Sequence, residues 1–174
     1  MKKFKKIILI TTLVFSNYCF SQDFKFGVSA GYLGAYARVT ENGGSASTSD
    51  SGFYLGAFSK IGLNEKLFLN PEINYGVING NGFGFIALKG GYYFLDKLNL
   101  QIGPQISYIL ETTTDEVSKV GIDLSGGFGY DITPKVNLQA RYAFEITNRA
   151  RDANVNSDVK ARFDWLFVGL GYTF

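Results

Sequence analysis

The sequence has no histidine, a single cysteine, three prolines and one tryptophan in 174 residues. The lack of imidazole excludes catalysis that depends on a histidine base and zinc sites of the usual ligand sets. One cysteine, Cys19, leaves nothing for an internal disulfide to join. Helical periodicity is also scarce. What the chain does have is 21 glycines, 11 tyrosines and 16 phenylalanines. That composition, in a chain sized for one domain with no linker, is that of a β-rich protein.

At the N-terminus, Lys2, Lys3, Lys5 and Lys6 precede the apolar run from Ile7 to Phe15, and the small residues Cys19 and Ser21 stand three and one positions before Gln22. Residues 1–21 therefore read as a cleaved secretory signal peptide. The apolar core is too short to cross ~30 Å of hydrocarbon as a helix, and Ser16 and Asn17 interrupt it. Lipoprotein processing is disfavoured because bulky Asn17 and Tyr18 precede Cys19. Cys19 is expected to leave with the leader. Removal of four lysines leaves 13 basic residues against 15 acidic ones, a net charge of −2 in place of +2. The basicity of the whole chain is a targeting feature, and nucleic acid is not an expected partner.

Turn signals divide residues 22–174 into eight runs, at 23–40, 51–63, 67–78, 83–95, 98–110, 120–132, 136–147 and 162–174. Each is long enough to cross a bilayer as a tilted strand of ~9–11 residues. The connections alternate in length. Asn64–Lys66, Leu95–Lys97 and Thr133–Lys135 are short, whereas Glu41–Asp50, Glu111–Lys119 and Asn148–Ala161 are long; Asn79–Gly82 is a short member of the second set. Barrels of the bacterial outer membrane alternate in this way, with short turns on the periplasmic side. The predicted fold is all-β, an eight-stranded antiparallel up-and-down transmembrane barrel occupying residues 22–174.

Within the strands two faces separate. In the fifth, Leu98, Leu100, Ile102, Ile106, Tyr108 and Leu110 alternate with Asn99, Gln101, Gly103, Gln105 and Ser107, and the seventh repeats the pattern from Val136 to Thr147. A soluble lipocalin-like barrel would turn the apolar face inward and clothe its outside in lysine and glutamate. Here the polar face is mostly Gly, Ser, Asn and Gln, small enough to fill a narrow lumen. Tyr32, Tyr36, Tyr75, Tyr92, Phe94, Tyr108, Tyr130, Tyr142 and Phe174 fall near strand ends on the apolar face, as an interfacial girdle requires. The apolar face is therefore expected to meet lipid, with Leu100 near the bilayer midplane and Gln101 in the lumen.

Lys25, Lys60, Glu72, Lys89, Asp123, Asp131, Arg141 and Glu145 then become interior charges, which are costly unless paired. If Asn79–Gly82 closes its hairpin with Ile78 opposite Phe83, Glu72 faces Lys89 directly. Arg141 and Glu145 lie about 13 Å apart along one stripe, so each should bond to other neighbours. The network reads as a polar core that locks the barrel, because the lumen of eight strands is filled by side chains. No pair of acids has a spacing that makes it an acid–base couple.

Other motifs are weak. Gly80–Gly84 and Gly126–Gly129 have the spacing of nucleotide loops but open no helix and carry no phosphate-loop lysine, so they read as turn and lumen glycines. Asp152, Asn154, Asn156 and Asp158 alternate like the start of a calcium loop, yet Ser157 replaces the turn glycine and Phe163 the closing acid. No metal or cofactor is expected. The terminal strand alternates Leu170, Tyr172 and Phe174 with small residues, and Gly169, Tyr172 and Phe174 resemble the C-terminal signal read by the bacterial barrel-insertion machinery.

The segments 100–110, 123–130, 138–142 and 169–174 (LQIGPQISYIL, DLSGGFGY, LQARY and GLGYTF) make the chain resemble the small outer-membrane β-barrel proteins of Bacteroidetes-type bacteria, often called PorT-like. The resemblance spans nearly all of residues 22–174. It implies an outer-membrane barrel and little chemistry. The expected function is a non-enzymatic structural or surface-interaction role, with outer-membrane lipid and the insertion machinery as partners. The alternative is a component of a secretion or envelope-assembly complex; a narrow channel or a lipid-modifying enzyme ranks below both.

Overall fold

Eight strands follow one another as β1 (Phe24–Glu41), β2 (Gly44–Gly62), β3 (Leu67–Ile78), β4 (Asn81–Tyr93), β5 (Leu98–Ile109), β6 (Val120–Asp131), β7 (Val136–Glu145) and β8 (Lys160–Thr173). The computed structural model describes residues 24–41, 44–111, 117–150 and 159–174. The leader assigned to residues 1–21 and the acidic run Asp152–Asp158 lie outside the described residues. Each strand pairs antiparallel with the next, and β1 pairs with β8, so the sheet closes into an up-and-down barrel without a free edge along its wall. The seam is well knit: it runs from Gly27↔Thr173 to Thr40↔Lys160, and beyond it the Phe174 N–H donates to the Phe26 carbonyl at 2.9 Å.

Short connections gather at one end, here called the turn end. In two of the three a side-chain oxygen replaces the missing ladder partners. Asn64 Oδ1 accepts from the Lys66 and Leu67 N–H groups at 2.9 and 2.8 Å, and Thr133 Oγ1 accepts from the Lys135 and Val136 N–H groups at 3.2 and 3.0 Å. The opposite end, the loop end, carries the other connections.

Two expectations about the loop end are corrected. The stretch Glu41–Asp50, rich in Gly and Ser, is not an open loop: β1 and β2 stay paired to Glu41↔Gly44. β2 finds β3 only from Gly52 onward, while β1 stays paired with β8 up to Thr40↔Lys160, so the hairpin stands above the wall as a ribbon backed on its β1 side by β8. The β3–β4 connection closes with Ile78 opposite Asn81 around a two-residue Asn79-Gly80 turn, not with Ile78 opposite Phe83. Both central residues have positive φ, 51° and 83°, the geometry whose twist matches a hairpin and which Asn-Gly adopts with least strain. A Gly80→Ala change places a Cβ in that left-handed conformation and should lower stability by about 1–2 kcal/mol, measured as a shift in the urea unfolding midpoint.

The closure shifts the β3–β4 register by two residues. Because side chains alternate with period two, every residue keeps its face. The two strand prolines occupy outward positions where the ladder can lose a donor: Pro71 falls between Phe58↔Glu72 and Ile61↔Leu69, and Pro104 between Ala87↔Gln105 and Gly90↔Ile102.

The outer wall is almost wholly apolar. Phe53, Leu55, Ile73, Ile86, Ile102, Phe128, Leu138, Phe144 and Leu170 stand exposed on it. Of the predicted girdle residues, Tyr32, Tyr36, Tyr75, Tyr92, Tyr108, Tyr130 and Phe174 are exposed on this wall, Phe94 is exposed in the turn after β4, and Tyr142 is half-buried beside Tyr36 and Phe144. Leu100 pairs with Tyr92 and Phe128, level with the turn-end tyrosines, so it is not at mid-height as expected. The row Ile73–Ile86–Ile106 takes that place.

Candidate functional site

The barrel interior is the candidate site, and it is layered. At the turn end Lys60 Nζ lies 3.6 Å from an Asp131 carboxylate oxygen and donates to the Tyr93 hydroxyl, which itself donates to Asp131. The ammonium also sits 4.6 Å above the Phe68 ring, so one cation is held by both charge and π face. Lys25 is on the inward stripe of β1 at the mouth and is exposed. It helps line a cavity of about 580 Å³ that reaches from the turns inward to Phe58, Lys60 and Tyr93.

Above this mouth, amides cross the lumen: Asn70 Nδ2 donates to Gln101 Oε1 at 3.1 Å and Gln101 Nε2 to Asn99 Oδ1 at 2.8 Å. Next comes a buried ion triad. Glu72 accepts from Lys89 Nζ at 2.6 Å and from Arg141 Nη1 through its other carboxylate oxygen. Lys89 sits on the β3–β4 diagonal, since its direct partner is Asn70. The pairing expected from the sequence is thus made, through a different register. Asn74 Nδ2 adds a further bond to Glu72 at 2.6 Å. Each group is within a few per cent of full burial, so the charges compensate one another where water does not.

Across the lumen lies a second ionic group. Asp123 accepts from Gln105 Nε2 at 2.9 Å and Ser107 Oγ at 3.2 Å. Glu145, opposite Asp123 in the β6–β7 register, binds Arg149 Nε at 2.5 Å. Arg149 Nη2 reaches Ser107 Oγ at 2.5 Å, which links the two carboxylates into one network. Arg149 was missed by sequence reasoning, which left it in the loop Asn148–Ala161; it is fully buried. A Cβ at Gly121 would collide with the Glu145 carboxylate and the Arg149 guanidinium, so the glycine makes room for the pair. As expected, Arg141 and Glu145 choose different partners.

Toward the loop end the expected polar lumen gives way to an aromatic plug. Leu33, Tyr54, Ile78, Phe85, Ala143, Trp165 and Phe167 form one buried cluster, with Phe83 and Phe163 packed on it. Phe85 meets Trp165 and Phe167 edge-on, with ring centroids 4.9 and 5.0 Å apart. The Arg141 guanidinium lies 3.9 Å from the Phe167 ring centroid, so the plug and the ion triad are in direct contact. The polar-lumen expectation failed because β8 places Phe163, Trp165 and Phe167 inward while Leu166 and Val168 face outward. A segment apolar on both faces is buried on both, and that signal was present in the sequence. The glycine runs also split: Gly127 and Gly129 face the lumen, whereas Gly82, Gly84 and Gly126 are on the outer stripe.

No protein-family model and no curated protein matches the chain. Solved outer-membrane barrels do match it. The chain is similar to Ail, the attachment invasion locus protein of Yersinia pestis, with 16% identity, 87% of this chain and 99% of that one covered, and a TM-score of 0.49. Neisserial surface protein A is 20% identical over 86% of this chain and 97% of its own, with a TM-score of 0.47. The outer membrane protein OprG of Pseudomonas aeruginosa is 13% identical over 86% and 95%, also at 0.47.

Among the described residues no group of His, Cys, Asp or Glu is placed to hold a metal ion. Glu72, Asp123 and Glu145 are all committed to donors inside packed layers.

Proposed function

We propose that the chain is an integral outer-membrane β-barrel protein with a sealed lumen and no enzymatic activity, which strengthens the envelope or presents its loop-end ribbon to external partners. The observation that carries this reading is the wall itself. From Phe24 to Tyr36 on β1 and across β2 to β7, the outward stripe holds no charged residue, while the charged residues of the same strands point inward into bonded layers. Water would not favour that surface; hydrocarbon does, and a closed barrel leaves no backbone group of the wall unpaired in it. The loop end then faces outward from the cell and the short turns face the periplasm.

Sealing follows from the plug of Trp165, Phe85 and Phe167 above the ion triad. Reconstituted in a planar bilayer, the protein should show no stepwise conductance; steady open-channel steps would make it a narrow channel instead. Kinship with the PorT-like group, and a place in a secretion or assembly complex, stand as the second reading, supported by the sequence motifs of β5 to β8.

Insertion is proposed to use Gly169, Tyr172 and Phe174 as the signal read by the barrel-insertion machinery. Tyr172 and Phe174 are exposed on the outer wall and Gly169 faces inward. Deleting Phe174 should cut accumulation in the outer membrane several-fold, scored by the fraction that migrates as a folded, heat-modifiable band. Undiminished accumulation would remove the signal role.

A further inference from the structure

The outward stripes of the eight strands carry charge in one place only among the described residues. Arg38 on β1 and Lys160, Arg162 and Asp164 on β8 lie side by side at the loop end. The seam register sets Arg38 directly opposite Arg162, with Thr40 opposite Lys160 on the next outward rung and Tyr36 opposite Asp164 on the rung below. All three basic residues are exposed. Residues facing each other across an antiparallel pair have Cβ atoms ~5 Å apart, and like charges there repel. Rungs on one face are ~7 Å apart along the strand. The three cations therefore fall within reach of one small, multiply charged anion.

The carboxylate on hand forms no salt bridge with them. Asp164 accepts from the Glu145 N–H at 3.1 Å and the Tyr142 hydroxyl at 3.2 Å. No salt bridge joins Arg38, Lys160 or Arg162 to an acid among the described residues. On the other side of β1, Arg38 pairs with Ser47 and Thr40 with Ser45, which adds hydroxyl donors to the same outward surface. Below, Tyr36 and Tyr142 stand with ring centroids 6.1 Å apart, a pair of aromatics at the boundary where the uncharged wall begins.

The geometry points to a binding site for a phosphorylated lipid headgroup: we propose that Arg38, Arg162 and Lys160 clasp a phosphate of an outer-leaflet lipid, while its acyl chains lie against the apolar wall below Tyr36 and Tyr142. Guanidinium groups present paired N–H donors that match phosphate oxygens, and an anion between Arg38 and Arg162 turns their mutual repulsion into a shared attraction. The position selects a lipid over a soluble anion. The cluster is on the outside of the wall, directly above the hydrocarbon band, and not in the turn-end cavity or the lumen. The inference rests on the membrane reading above, since only that reading puts lipid headgroups at this height.

The test uses the full chain folded into phosphatidylcholine vesicles that contain either lipid A or its dephosphorylated form. After gentle detergent extraction, bound lipid is counted by native mass spectrometry for the parent, for the double variant Arg38→Gln/Arg162→Gln, and for Lys66→Gln/Lys135→Gln at the other end. The parent and the turn-end variant should retain phosphorylated lipid A; the Arg38→Gln/Arg162→Gln variant should lose at least ten-fold of it while its heat-modifiable band shows that it folds. Equal retention by both variants, equal retention of the dephosphorylated lipid, or displacement of the lipid by inorganic pyrophosphate at equal concentration would overturn the proposal. Failure of the parent to insert into any vesicle would instead count against the membrane reading itself.

Discussion

Replacing Ile86 with arginine should block assembly of the barrel or destabilise it by about 2–4 kcal/mol. Ile86 is the middle of a cross-strand row with Ile73 and Ile106, and its side chain is 59% exposed on the outer wall. In water an arginine there would be nearly neutral, because an exposed cation on a sheet face keeps its hydration. In hydrocarbon it loses that hydration at the greatest depth available. The same change at Leu100, level with Tyr92, should cost clearly less, because the side chain can reach the interface from there. The ratio of the two effects, read from urea unfolding in lipid vesicles, measures depth as well as orientation. Equal tolerance at both positions would contradict a lipid-facing wall.

The second large effect is expected inside. Changing Glu72 to alanine leaves Lys89 and Arg141 buried with no opposing charge, since both bond to that carboxylate. Breaking a buried pair by removing one partner typically costs about 3–5 kcal/mol. The loss should appear as a lower unfolding midpoint with the barrel still inserted, because the outer wall is untouched. A more conservative change in the neighbouring amide layer separates charge from packing: Gln101→Asn shortens an amide of that crossing and should shift the midpoint by about 1 kcal/mol, the worth of one neutral hydrogen bond. If Glu72→Ala is as mild as Gln101→Asn, the ion triad is not what holds the turn-end half of the lumen.

The strands were legible because a barrel wall makes period two absolute. β5 and β7 alternate cleanly, and Asn99, Gln101, Gln105, Ser107, Gln139, Arg141 and Glu145 all face the lumen as that alternation requires. The ion pair Glu72–Lys89 was reached through a register that is wrong by two residues. It survived because a shift of two preserves the face, and because a lysine is long enough to reach a diagonal partner. Arg149 was not legible. The interior charges counted from the sequence already balanced, so nothing called for another cation, and its burial depends on the chain turning inward after Glu145, where Arg149 N–H bonds the Ala161 carbonyl at 2.9 Å. The ribbon above the wall was hidden by its composition, since Gly44–Ser51 is rich in residues that usually mark loops. It remains strand because β1 supplies a full set of ladder partners.

The central claim is that alternate residues of each strand face lipid and a sealed interior. Single cysteines placed in turn at positions 98–109 of β5, in a chain with Cys19 replaced by serine, can carry a nitroxide label in vesicles. Collision with dissolved oxygen, which concentrates in hydrocarbon, is compared with collision with a water-soluble nickel chelate. The account predicts high oxygen and low nickel accessibility at Leu100, Ile102 and Ile106, and low values of both at Gln101, Gln105 and Ser107. Strong nickel accessibility at the first set, or no alternation between the two, would contradict it.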